Sequence, residues 1–166
     1  IINSINLLEM RGRDSLGLCF QFVLKLNETN LEWYKTAEIE KHFLSAIVGN
    51  KIVIHAIYRT FNRIGVLGEN SNVVLHQLRA DKTIMDLIKS GKYDSISIVA
   101  HTRWASVGQV NQQNVHPLIN LTKTTDQIPT ILSFVNGDIY NYKEIYKNMI
   151  WQDKVEYYLN EENDSI

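Results

Sequence analysis

The chain has 166 residues, 45% of them hydrophobic and 21% charged, with a formal net charge of -1. That length suits one domain with a sizeable core, and the balance excludes an intrinsically disordered chain. The near-neutral charge leaves no electrostatic footprint for nucleic acid or an anionic membrane surface, and no apolar run reaches the length of a membrane span.

Ser4 to Met10 has apolar residues at helical spacing, and the helix is expected to stop at Arg11-Gly12, with the glycine as a left-handed cap. Leu16 to Leu26, dense in aromatic and aliphatic residues, predicts a buried strand. Lys35 to Val48 carries Ile39, Phe43, Leu44 and Ile47 on one side, the pattern of an amphipathic helix. Lys51 to Tyr58 fits a strand or a buried helix equally, since periodicity alone does not arbitrate. Phe61 to Arg79 is ambiguous, with turn signals at Gly65, Gly68 and Asn70. Thr83 to Ser90 predicts a short helix closed by Gly91.

Ser95 to Ala100 alternates and predicts a strand that delivers His101 to Trp104 at its end. Gly108 to Pro117 is loop. Ile131 to Val135 predicts a second strand, broken by Asn136-Gly137, a dipeptide that readily takes positive φ. Tyr140 to Ile150 reads as helix and Lys154 to Leu159 as a further strand. Strands early and late, with helices between and after, predict an α+β layered domain.

The chemistry concentrates in the second half. Arg103 follows a strand, and its planar fork stays charged and matches a carboxylate bidentately. Ser106 adds a hydroxyl close by, and Asn136-Gly137 offers a side-chain amide and a backbone N–H that can aim at one developing oxyanion. Taken singly, each feature has a plain structural explanation. Arg103-Trp104 suits a stacked surface pair, Asn136-Gly137 a hairpin turn, and His101 a hydrogen-bonded structural histidine. Ser15 lacks a histidine and an acid at a spacing suited to a serine hydrolase. Cys19, the single cysteine, lies in an apolar strand and reads as a core residue; alone in the chain, it forms no internal disulfide and fits a reducing, cytoplasmic setting. His101 and His116 have no third ligand at zinc spacing, so no metal is expected, and no cofactor is implied.

The order of these features changes their weight. Leu8-Glu9-Met10-Arg11-Gly12-Arg13-Asp14-Ser15-Leu16-Gly17, His101 through Gly108, Asn114 to Pro117, Val135 to Tyr142 and Glu162-Asn163-Asp164-Ser165 form five patches in one series. Together they resemble the glutaminase domain of class II glutamine amidotransferases, which are N-terminal-nucleophile hydrolases, and within them the glutamine–fructose-6-phosphate aminotransferase group. The resemblance implies an αββα sandwich of two antiparallel sheets. It runs over residues 1–166, with 20–94 containing an insertion that has no clear counterpart. It implies L-glutamine as the ligand, with Arg103 on the α-carboxylate, Ser106 adding a hydroxyl contact and Asp164 on the α-ammonium. Asn136 Nδ2 and the Gly137 N–H would form the oxyanion hole, and Trp104 would wall the pocket.

The implied reaction is amide hydrolysis through a thioester, with ammonia passed to a following synthase/isomerase domain that uses a sugar phosphate. Dimerisation in such proteins is through that other half. Two departures stand out. The family's nucleophile is an N-terminal cysteine whereas this chain opens at Ile1, and Val107 replaces a histidine. Opening without an initiator methionine and closing at Ile166 directly after a polar cluster, the chain reads as cut at both ends from a larger polypeptide, with the family's first strand expected upstream. Three rivals remain: an asparagine synthetase-type glutaminase domain, disfavoured by Arg103-Trp104; a glutamine-binding regulatory domain without a nucleophile; and an unrelated α+β interaction domain.

Overall fold

The computed structural model describes residues 2–36, 43–62, 66–104, 110–112, 114–120, 131–137, 139–141, 143–145 and 147–148. Its elements are α1 (Ile2–Glu9), β1 (Ser15–Lys25), α2 (Glu28–Thr36), β2 (Phe43–Val48), β3 (Lys51–Phe61), α3 (Glu69–Ala80), α4 (Lys82–Ser90), β4 (Ser95–Arg103), β5 (Leu118–Asn120) and β6 (Ile131–Ser133). Four strands form one antiparallel sheet in the order β2-β3-β1-β4, and β5 and β6 form a two-stranded sheet. The expected α+β class is thus observed.

β1 is central because it buries both faces: its first six residues are all buried. Leu16, Leu18, Phe20, Phe22 and Leu24 share one face with Ile52, Ile54, Ala56 and Tyr58 of β3, and Ile5, Val74, Ile84 and Leu87 of the helices close over them. Each of the Leu, Ile, Val and Phe side chains among them contributes roughly 1.5–3 kcal/mol by leaving water. Strand alternation sends Ser15, Gly17, Cys19 and Gln21 to the opposite face, beside Arg59, Ile57 and His55 of β3 and beside Arg103, His101, Val99 and Ser97 of β4.

Two expectations fail. Residues 43–48 are the edge strand β2, not part of a helix from Lys35; α2 ends at Thr36, and Ile39 lies outside the described residues. The missed signal is Gly49-Asn50, a two-residue hairpin with Gly49 at φ 58°, which pairs Val48 with Lys51 and lets β3 capture the segment as a strand. Asn70, expected in a turn, lies buried inside α3, where its Nδ2 donates to Arg13 O at 2.6 Å. Gly65 lies outside the described residues, whereas Gly68 does turn, at φ 89°, at the start of α3.

α1, β1 and α4 fall within two residues of expectation, β4 runs on past Ala100 to Arg103, β6 stops at Ser133 short of Val135, and α2, α3 and β5 have no expected counterpart. Lys51–Phe61 resolves as strand, and α4 closes on Gly91 at φ 62°. Residues 143–145 and 147–148 are helical, as expected within 140–150. The strand expected at 154–159 lies outside the described residues. The stretch 20–94 supplies most of β1 together with β2, β3 and α2 to α4. Among the described residues no helix is long and apolar enough to cross a membrane.

Glu9 is 1% exposed and caps α3 from a distance. Its carboxylate accepts from Gly68 N at 2.6 Å, Ser71 N at 2.8 Å and Ser71 Oγ at 3.2 Å. Those amides are the orphan donors of a helix start, and negative charge is favoured there. Glu9→Ala leaves them buried without that acceptor, and a stability loss of about 2–3 kcal/mol is expected in urea unfolding.

Candidate functional site

The site grows from two glycines that admit no side chain. A Cβ on Gly12 would stand 2.7 Å from Arg103 C and 2.9 Å from Trp104 N, so the turn after α1 lies directly on the end of β4. Gly12 has no positive φ, which corrects its expected role as a left-handed cap: glycine is required there for close approach. A Cβ on Gly17 would stand 1.5 Å from His116 O, so the loop 114–117 rests on β1 itself.

Arg103 is 7% exposed and points to the face opposite the helices. Its backbone is held by pairing with Ser15 and by Asp14 N, which donates to Arg103 O at 3.0 Å. The turn that carries Asp14 is braced in turn by Asn70 on Arg13 O and by Asn62 N on Asp14 O at 2.7 Å. Thr102 Oγ1 donates to Leu8 O at 3.0 Å, which ties β4 to the end of α1.

On the same face His101 and His116 stack with ring centroids 4.1 Å apart, and His101 Nε2 lies 3.2 Å from Val135 O. That contact brings the residue just before Asn136 to the strand that carries Arg103. Arg59 Nη1 donates to Val115 O and Pro117 O, each at 3.4 Å, and Gln112 Nε2 donates to Arg59 O at 3.4 Å. Residues 115–117 and Val135 therefore bring the segments next to β5 and β6 onto β1, β3 and β4.

Next to the two imidazoles on this face, β3 and β4 place the guanidiniums of Arg59 and Arg103. Burial, with the like charges of His101 and then Arg103, pushes His116 down to about 4. Burial lowers His101, Arg103 lowers it further, and the bond to Val135 opposes both. Both imidazoles are thus held toward their neutral form, with the guanidiniums of Arg103 and Arg59 close by. Cys19 is buried and its thiol is pushed up to about 11 by desolvation, which leaves it without reactive thiolate.

The expected site residues fall into three groups. Arg103 is buried at the end of β4, and Trp104 beside it is 69% exposed. Asn136 and Gly137 are exposed and follow directly on Val135. Ser106 and Asp164 lie outside the described residues. Sequence reasoning missed Glu9, Gly12, Gly17 and His116 as the framework of the site. The two glycines flanking Asp14-Ser15 carried that signal, but the surfaces they meet, at Arg103 and His116, lie in the second half of the chain. Among the described residues no group of three or more His, Cys, Asp or Glu could hold a metal ion.

No family model matches the chain, and no solved structure matches it. Two curated proteins are similar to it. One is the glutamine–fructose-6-phosphate aminotransferase (isomerizing) of Encephalitozoon cuniculi, 28% identical over 145 residues, which are 87% of this chain and 15% of that protein. The other is the protein of the same name from Sulfolobus acidocaldarius, 30% identical over 95 residues, 55% of this chain and 15% of that protein. The chain thus spans about 15% of the length of the curated relatives it matches. These likenesses point to a domain related to the glutamine amidotransferases.

Two outcomes follow from the packing of His116. Its folded-state value lies below the unfolded imidazole value of about 6.5, so between the two the unfolded chain binds more protons. Stability is then full above pH ~6.5 and falls as pH drops toward 4, by on the order of 3 kcal/mol from this group. Urea midpoints measured from pH 7.5 to 4.5 should fall less steeply in His116→Gln than in the wild type. Gly17→Ala should cost more than ~3 kcal/mol in the same assay, because backbone must move to admit the methyl group.

Proposed function

We propose that this chain is the glutamine-binding, glutaminase part of a protein akin to the glutamine–fructose-6-phosphate aminotransferases. In this reading the domain grips free L-glutamine and polarises its side-chain amide for hydrolysis. The ammonia then passes to a synthase/isomerase part that uses a sugar phosphate. The observation that carries the reading is that Arg103 and His101 share one face of β4, and His101 contacts Val135, directly before Asn136-Gly137. The likeness to the Encephalitozoon cuniculi aminotransferase over 87% of the chain supports it.

Arg103 supplies a fixed fork for the α-carboxylate, and its burial strengthens that pairing by excluding competing water. Ser106 and Asp164 are assigned to the carboxylate and the ammonium by the resemblance alone, as is Trp104 to the pocket wall. Asn136 Nδ2 and the Gly137 N–H are assigned to the oxyanion, where loss of one donor costs roughly a hundredfold or more in rate. The helix layer, the four-stranded sheet and the segments next to β5 and β6 are in keeping with an αββα sandwich of the N-terminal-nucleophile type.

Cys19 is not the nucleophile of such a reaction, since it is buried and its thiol is raised to about 11. A second reading is a domain that binds glutamine without hydrolysing it. Glutamate release by the full-length protein separates the two.

Glutamine at a hundredfold excess over its dissociation constant should stabilise the protein by ~2.7 kcal/mol, read as a rise in Tm. Arg103→Ala should abolish that rise. A wild-type Tm indifferent to millimolar glutamine overturns both readings.

A further inference from the structure

We propose that His101 is a positioning residue for the Asn136-Gly137 oxyanion donors, locking the segment that carries them to the strand that carries Arg103. The inference rests on the reading given under Proposed function and adds a residue to it. His101 Nε2 lies 3.2 Å from Val135 O. A backbone carbonyl only accepts, so Nε2 carries the proton and donates, and Nδ1 is the bare nitrogen of the neutral ring. The Val135 carbonyl and the Asn136 N–H belong to one planar peptide unit. Holding that oxygen therefore fixes the plane from which the Asn136 backbone departs.

The other side of the lock is rigid. β1 pairs Gly17 with His101 and Ser15 with Arg103, so one stretch of ladder holds the imidazole and the guanidinium two residues apart on one face. The ring is held as well: His116 stacks on it at 4.1 Å with a 37° tilt, and the His116 carbonyl is seated against Gly17. Burial and the charge of Arg103 hold His101 toward its neutral form, which preserves the tautomer with a single donor. Removing the donor frees the Val135-Asn136 peptide without touching the Arg103 backbone. Turnover should suffer while glutamine affinity does not, because a misplacement of about 1 Å at a reacting group costs on the order of a hundredfold.

The test uses the full-length protein, with glutamate release from L-glutamine giving kcat and calorimetry giving the glutamine Kd. It compares wild type with His101→Gln, His101→Asn and His101→Ala. Glutamine's amide nitrogen lies about as far along the side chain as Nε2, whereas asparagine's stops one bond short. The expected result is a kcat lower by about 10- to 100-fold in the Asn and Ala variants, a Gln variant within about fivefold of wild type, and Kd within about twofold throughout. Should the Ala variant fail to fold, the Gln and Asn pair carries the comparison.

A Gln variant as impaired as Asn, or a Kd that rises in step with the loss of kcat, overturns the inference. Turnover lost in Arg103→Ala yet indifferent to every change at His101 overturns this inference alone. Wild-type protein that releases no glutamate overturns the hydrolytic reading along with it.

Discussion

The carbonyl of His116 rests on Gly17, in a space that a single methyl group would fill. That contact seats the facing segments. With it come the His101–His116 stack, the bonds from Arg59 to Val115 O and Pro117 O, and the approach of Val135 to β4. Protein interiors transmit such constraints because they are close-packed and have no soft volume to absorb a shift. The central strand is thus covered by helices on one face and, at Gly17, by the 114–117 loop on the other.

A second chain of contacts reaches the same place from the far side of the sheet. Glu9 accepts from the start of α3, and Asn70 of α3 holds Arg13 O. Asp14 N then holds Arg103 O, while Gly12 lies against the Arg103-Trp104 backbone. The helix layer therefore fixes where the β4 strand ends. Arg103 is positioned through its backbone by a buried carboxylate on the opposite face of the sheet.

The electrostatics of the site follow from this burial. Two imidazoles lie against each other near a guanidinium, where each added proton would meet desolvation and like charge. They are held toward the neutral form and serve as packing and donor groups. An anion arriving on this face meets arginine rather than histidine. That division suits a carboxylate held tightly beside donors that must not carry charge of their own.

The sequence by itself determined the class of the fold and the ends of its most apolar elements. β1 and α4 follow alternation, helical spacing and glycine stops that any chain of this pattern obeys, whereas β4 extends three residues past its expected end because it pairs with β1 as far as Arg103. It also marked Arg103 and Asn136-Gly137, because a guanidinium after a strand and an Asn-Gly pair have recognisable chemistry. Tertiary structure decided the rest. Residues 43–48 have apolar spacing that suits a helix, yet pairing with β3 through the Gly49-Asn50 hairpin makes them a strand. Gly12 and Gly17 looked like turn and strand glycines, and only the surfaces folded onto them gave their reason. Glu9, His101 and His116 acquire their roles from partners 34 to 62 residues distant or from a ring stacked across layers. Local pattern is set by neighbours along the chain, whereas a close approach or a buried charge depends on which distant segment arrives, and that is settled only when the layers close.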